Sequence, residues 1–430
     1  MRIFYTFMLA LLLPLILARL LWRSLRQVGY RLNIPERFGQ YHQPSLKGCI
    51  WIHAVSVGEV RAAEPLICRL KVIYPARPIL LTGMTPTGRA TAHELFGQLL
   101  TCVYLPYDFV TLHQRLLDHF QPSILLIMET EIWPNLLVTC QRNKVPAFMI
   151  NARLSEKSLR GYTRLAAVHA LIRQALQAVT VVAAQSAADA ERFRVLGALR
   201  AEKIVVTGTI KFDVALDPSL IAFGKNWRAN CAHQRVLLCA STREGEEALL
   251  LDAYVQTFDV ETRHDTLLVI VPRHPQRFDH VAIEIENAGL RFSRRSRGAP
   301  DDLNVSSAEV LLGDSMGEMA AYYAFCDIAI IGGSFLPLGG QNLIEACASG
   351  KPVIMGPSTF NFTEAARLAQ DVGAMEQVGN AQDAMRMAHT LLQDDARRMR
   401  MADAGRKLVA ANHGAAEKVA ALIVPVLGAN

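Results

Sequence analysis

Charge is scarce in this sequence, and so are aromatic rings and paired cysteines. Of 430 residues, 20% are charged and 7% aromatic, against 51% hydrophobic. So much apolar surface excludes long disorder, and a net charge of +6 over this length does not indicate a general nucleic-acid binder, since the basic residues cluster only beside the N-terminus. The eight cysteines are scattered, with no CxxC pair and none beside a histidine at ligand spacing. They read as small buried hydrophobes in a reducing compartment, so neither a structural metal nor a disulfide framework is expected. Also missing are GxGxxG and GxxxxGK[ST] loops, which leaves a dinucleotide oxidoreductase or a P-loop nucleotidase without support.

What the chain does have is length and hydrophobic rhythm. A chain this long exceeds what one core organises, so two domains of roughly 200 residues are expected. Residues Ile3 to Ala18 carry no charge, and the apolar stretch continues past Arg19 to Trp22. At about 1.5 Å per residue, twenty helical residues reach roughly 30 Å, the thickness of a bilayer core. Pro14 would kink such a helix. A cleaved signal peptide is disfavoured, because no A-x-A-like site follows and Arg19, Arg23, Arg26, Arg31 and Arg37 face a single acid, Glu36. Positive charge on that flank keeps the rest of the chain cytoplasmic, beside anionic headgroups. A spanning helix and one lying in a single leaflet both fit; the bland alternative is a buried helix with a solvated basic face.

From residue 50, short β-branched runs alternate with helical stretches. Strands are expected at 49–55, 79–83, 102–105, 124–128, 147–150, 179–183 and 204–206, then at 236–240, 267–271, 310–312, 328–331 and 353–355. Continuous apolar strands alternating with helices specify parallel sheets covered on both faces. The reading is therefore α/β: an anchor helix at 1–22, a doubly wound Rossmann-like domain at 23–212, a connection at 213–234, and a second such domain at 235–430. Ligands of such sheets bind beyond the carboxyl ends of the strands, so the active site is expected in a cleft between the domains.

Polar residues at strand ends are the candidates. Glu59 opens the helix after the first strand, where it could accept a proton or merely complement the helix dipole. Glu129 ends an apolar strand, and a buried carboxylate needs a cation; Lys211 and Arg153 both follow later strands, and a purely structural ion pair is the alternative. Thr130 or Glu131 could cap the next helix. Arg273, after Pro272, stands where a phosphate would lie. Gly317-Glu318-Met319 and Asn342-Leu343-Ile344-Glu345 each precede or open a helix, offering amides to an anion and, in Glu345, a carboxylate for ribose hydroxyls. The bland readings are tight turns and a dipole-complementing acid. Arg291, Arg294, Arg295 and Arg297 read as a solvated loop, and His53 as a core histidine.

Several of these segments occur together in one known family. Ser56-Val57-Gly58-Glu59, Thr85-Pro86-Thr87-Gly88, Tyr104-Leu105-Pro106-Tyr107-Asp108, Met128-Glu129-Thr130-Glu131, Asn151-Ala152-Arg153-Leu154-Ser155 and Lys211-Phe212-Asp213 resemble the 3-deoxy-D-manno-octulosonic acid (Kdo) transferases of lipopolysaccharide assembly. Ser241-Thr242 with Glu244-Gly245-Glu246, Pro272-Arg273-His274, Gly317-Glu318-Met319 and the turn from Asn342 to Glu345 extend the likeness. The resemblance implies a glycosyltransferase of the GT-B type at the cytoplasmic side of the inner membrane. It implies CMP-Kdo as donor, lipid IVA as acceptor, and inversion without a metal or other cofactor. It makes Glu59 the general base, and Glu129 and Lys211 stabilisers of the transition state. Pro272, Arg273, Gly317, Glu318, Met319, Asn342, Leu343, Ile344 and Glu345 would hold CMP; the sugar's own carboxylate calls for a further basic residue in the first domain, for which Arg153 is the candidate. Gln341 and Arg243 each stand where the family has histidine, and Leu343 where it has proline. A sugar-nucleotide epimerase of the same tandem fold is the alternative.

Overall fold

The computed structural model describes every residue except 215, 299–304, 306–307 and 429–430. The chain forms two compact units, Met1–Asp213 together with His413–Asn430, and Val214–Asn412.

In the first unit, seven strands form one parallel sheet: β1 Ile50–His53, β2 Ile79–Gly83, β3 Thr101–Tyr104, β4 Ile124–Met128, β5 Ala147–Ala152, β6 Val181–Ala184 and β7 Ile204–Val206, in the order β3-β2-β1-β4-β5-β6-β7. Strand alternation sorts their side chains onto two faces. Ile50, Ile52, Leu81 and Leu126 pack with Leu66 of the helix Val57–Ile73 and with Val419. Trp51, Leu80, Leu125 and Ile127 pack on the other face with Phe120, Leu136 and Phe193. Both faces are covered, which is why these strands read as unbroken apolar runs. Helices begin where the sequence supplies a cap: the side chains of Ser56, Thr85, Ser155 and Ser186 each accept an amide of the first turn.

The second unit repeats the plan with β8 Arg235–Thr242, β9 Thr266–Pro272, β10 Phe292–Arg294, β11 Val310–Leu312, β12 Ile328–Ile331, β13 Val353–Met355 and β14 Met375–Gln377, ordered β10-β11-β9-β8-β12-β13-β14. The strands absent from the sequence reading, β10 and β14, are the two edges. An edge strand is short and half-exposed, so Phe-Ser-Arg and Met-Glu-Gln carry no hydrophobic run to betray them.

Two boundaries differ from expectation. The segment expected to be a connection contains the helix Pro218–Asn230, which packs on the helix Met319–Phe325 with the rings of Trp227 and Tyr322 at 5.6 Å, so it belongs to the second unit. Conversely, the helix Ala415–Leu427 belongs to the first unit, not to the second domain. Asp213 caps it, accepting the amides of Gly414 and Ala416, while Glu417 pairs with Arg69.

Of the four arginines expected in a solvated loop, Arg291 and Arg297 are exposed, whereas Arg294 and Arg295 are held by partners. Arg294 pairs with Asp314 and Asp279 at 2.7 and 2.8 Å. Arg295 is only 6% exposed, paired with Glu318 at 3.0 Å and stacked 4.8 Å from the Trp227 ring. An aromatic face and a carboxylate together offset the cost of burying that guanidinium.

A single acid ties the middle of the second sheet. Glu246, fully buried in the first turn after β8, accepts the amides of Arg243, Gly333 and Phe335 at 2.9, 2.6 and 2.9 Å, fastening the loop after β12 to the turn after β8. The approach is so close that a Cβ on Gly332 would lie 2.6 Å from the Ser241 carbonyl oxygen. Glu246→Ala leaves three amides without acceptors and is expected to cost about 3 kcal/mol or more. Glu246→Gln, which keeps one carbonyl oxygen, should lose less. Denaturant unfolding of the full chain in detergent checks both.

Candidate active site

A doubly wound sheet has one place where successive strands depart in opposite directions, and loops diverge there to leave a crevice. In the first sheet that place lies between β1 and β4. Glu59 follows β1, and Glu129 and Glu131 follow β4, so the topology itself gathers three carboxylates at the switch point.

Glu59 is half-buried at the third position of its helix. Its Oε1 accepts the Ser56 hydroxyl at 2.9 Å and its Oε2 the Val55 amide at 2.7 Å, while Ser56 Oγ accepts the Glu59 amide at 3.4 Å. This is a reciprocal cap, more than dipole compensation, and it fixes the carboxylate rotamer. Burial, opposed by those bonds and reinforced by Glu131 and Glu129, pushes its pKa up to about 7. Each carboxylate oxygen has a second lone pair, so the cap leaves room for another donor. Glu131 is raised as well, first by burial and further by Glu129.

Of the two cations considered for Glu129, the structure brings up Lys211, with Nζ 3.3 Å from Oε1. The lysine sits on a 3-10 turn, Ile210–Phe212, that the loop after β5 positions: Asn151 Oδ1 accepts the Ile210 amide at 3.1 Å, and Thr209 caps the turn. Glu129 and Asn151 both adopt left-handed backbone, with φ of 55° and 50°. Non-glycine residues held there cost of order 1–3 kcal/mol and cluster at functional sites. Arg153 follows β5 half-exposed; its carbonyl accepts the Thr130 hydroxyl, and its guanidinium makes no ion pair among the described residues.

Neither Thr130 nor Glu131 caps the helix Pro134–Arg142. That role falls to Asp108, 1% exposed, which accepts the amides of Asn135 and Leu136 at 3.1 and 2.9 Å. No local spacing signals a cap supplied from so far along the chain. His53 is fully buried with Nδ1 2.9 Å from Thr82 Oγ1, and burial pulls its pKa down to about 4, as a core histidine requires.

In the second unit the candidates again follow strands. Pro272 ends β9 opposite Thr242 of β8, and the Arg273 amide donates to the Thr242 carbonyl at 2.9 Å. Arg243 and Arg273 thus leave neighbouring strands at the same sheet end, and burial together with their charges lowers the pKa of His274. Arg243, which stands where the resemblance has a histidine, is set beside Arg273 by the pairing of β8 with β9. After β11, Gly317 is exposed with φ 79°, and a Cβ added there would meet nothing within 4 Å, so its backbone is open to a ligand. Glu318 is held by Arg295, and Met319 begins the helix that follows. After β12, Asn342 Oδ1 accepts the Ile344 amide at 3.0 Å and Asn342 Nδ2 donates to Glu345 Oε1 at 2.8 Å. Leu343 and Ile344 bury their side chains, so in this turn only Asn342 and Glu345 present polar side chains. Among the described residues no group of His, Cys, Asp or Glu could hold a metal ion.

Comparison with known proteins identifies the family and the fold. The family model described as 3-deoxy-D-manno-octulosonic-acid transferase (kdotransferase) matches residues 32–214. The chain is similar to the 3-deoxy-D-manno-octulosonic acid transferase of Bordetella pertussis, at 42% identity over 96% of both chains. It is also similar to that of Haemophilus influenzae, at 35% identity over 100% of this chain and 99% of the other. Among solved structures, the UDP-GlcNAc 2-epimerase of Neisseria meningitidis bound to UDP-GlcNAc matches with TM-score 0.57 and 15% identity, covering 87% of this chain and 99% of that one. A glycosyltransferase from Rickettsia africae matches with TM-score 0.55 and 14% identity, covering 89% and 99%. At such identity these last two establish the fold alone, which is GT-B.

The raised carboxyl of Glu59 is directly measurable. Carboxyl-carbon NMR of the full chain should show one glutamate titrating near pH 7 that disappears in Glu59→Gln; if the lost signal instead titrates in the ordinary glutamate range, the site is not the desolvated one described.

Proposed function

Because the chain belongs to the 3-deoxy-D-manno-octulosonic acid transferase family, we propose that this glycosyltransferase moves Kdo from CMP-Kdo to lipid IVA, with inversion at the anomeric carbon and without a metal ion. The observation that carries the reading is the carboxyl of Glu59, poised near neutrality at the switch point of the first sheet. A general base works best with a pKa near the working pH. An acceptor hydroxyl gives its proton to Glu59 as its oxygen bonds to the anomeric carbon, and the bond from that carbon to the phosphate oxygen breaks to release CMP. Glu129 and Lys211 stabilise the charge that develops in between, the lysine through its 3.3 Å ion pair with the glutamate.

The donor is held by the second unit. Arg273 takes the phosphate with Arg243 beside it, the open backbone at Gly317-Glu318-Met319 supplies amides, and Asn342 with Glu345 meets the ribose, while Pro272, Leu343 and Ile344 shape the turns. The half-exposed guanidinium of Arg153 suits the Kdo carboxylate. The N-terminal helix, Arg2–Arg26, holds the enzyme at the cytoplasmic face of the inner membrane, where a lipid acceptor resides. An epimerase is disfavoured, since the likeness to epimerases is one of fold at 13–15% identity, whereas the near full-length relatives are transferases.

Glu59→Gln is expected to lower turnover by roughly 10²–10⁴ with CMP affinity nearly unchanged. In the unmodified enzyme the rate should rise with pH through about 7, as Glu59 loses its proton, and that rise should vanish in the variant. Mass analysis of the lipid formed from CMP-Kdo and lipid IVA gives the readout, and wild-type turnover would remove Glu59 from the role. Arg273→Ala should weaken CMP binding by calorimetric titration; unchanged affinity would refute the phosphate contact.

A further inference from the structure

We infer that the N-terminal helix lies flat in one leaflet of the bilayer, fastened at both ends to the first unit, and does not cross the membrane. The inference deepens the membrane reading above and rests on it.

The helix Arg2–Arg26 has 25 residues, which at about 1.5 Å each extend roughly 37 Å. Its first turn is bound to the body of the unit. The Tyr5 hydroxyl donates to Asp108 Oδ2 at 2.9 Å, and Asn135 Nδ2 donates to Thr6 Oγ1 at 2.9 Å. Asp108 and Asn135 are 1% and 0% exposed, so these partners are fixed parts of the fold. The far end is bound too: Ser24 is buried, Arg23 lies over the Tyr30 ring at 5.5 Å, and the Gly29 backbone is packed so tightly on Pro86 that a Cβ there would lie 2.7 Å from it. A helix crossing the hydrocarbon core would separate its ends by roughly 30 Å along the bilayer normal, with Tyr5 and Thr6 on the side away from Asp108 and Asn135.

The exposed face suits a leaflet. Ile3, Phe7, Leu11, Leu15, Trp22 and Leu25 fall on one side of the helix at spacings of three, four and seven, and all are more than half exposed. Arg19 and Arg23, also exposed, sit roughly a quarter to a third of a turn from that stripe. The helix contains no acidic residue. An apolar stripe flanked by arginines is the pattern of a helix at the headgroup boundary, and the charge selects anionic lipid.

The test uses the full chain in sealed membrane vesicles of both orientations, with Arg2→Cys introduced on a Cys68→Ser background and a membrane-impermeant maleimide as probe. With the helix flat, residue 2 stays at background labelling when reagent is added on the side opposite the catalytic units, and labels fully once detergent is present. Labelling from the opposite side in intact vesicles would overturn the inference. If that variant still transferred Kdo, the flat helix would fall while the transferase reading stood; recovery of the chain in the soluble fraction would remove both the flat helix and the membrane reading.

Discussion

Three carboxylates can share the end of one strand pair only if their mutual repulsion and lost hydration are met, and in the first unit Lys211 pairs with Glu129 while the Val55 amide and Ser56 hydroxyl hold Glu59. Lys211 offsets the charge of Glu129, and the negative charge of Glu129 in turn helps to hold protons on Glu59 and Glu131. Similar side chains thereby acquire different properties from their surroundings. The left-handed backbone at Glu129 and Asn151 belongs to the same constraint, because the first aims the carboxylate and the second holds the turn that carries the lysine.

The second sheet uses acids differently. Glu246 is spent entirely on backbone amides, and Glu247 is likewise buried, accepting the Thr242 hydroxyl at 3.0 Å and pairing with Arg277 at 3.3 Å. With those acids occupied, Arg243 and Arg273 give the carboxyl end of β8 and β9 a cationic character, and His274 beside them is held toward its neutral form. Two sheets of the same winding therefore differ at their strand ends, with carboxylates at the switch point of the first and guanidinium groups beyond β8 and β9 of the second.

Much of this was legible because parallel strands advertise themselves. Strands β2, β4 and β7 fall where their apolar runs place them, and Glu59, Glu129 and Arg273 stand out as polar residues directly after such runs. The misses share a cause: they depend on contacts distant in sequence. Asp108 caps a helix that starts at Pro134, Asp213 caps one that starts at Ala415, and Arg295 finds Trp227 and Glu318. Edge strands β10 and β14 lack the two-sided burial that writes a hydrophobic run. Arg243 stands out through the resemblance alone, and the pairing of β8 with β9 adds its neighbour, Arg273.

The capping of Ala415–Leu427 by Asp213 bears on the order in which the molecule is assembled. During synthesis the ribosome delivers the whole of Val214–Asn412 before the helix that covers Ile50, Ile52 and Leu66 exists. The second unit can thus mature while the nascent first unit still exposes part of one sheet face, so the interval before residue 427 emerges is when chaperones have most to protect.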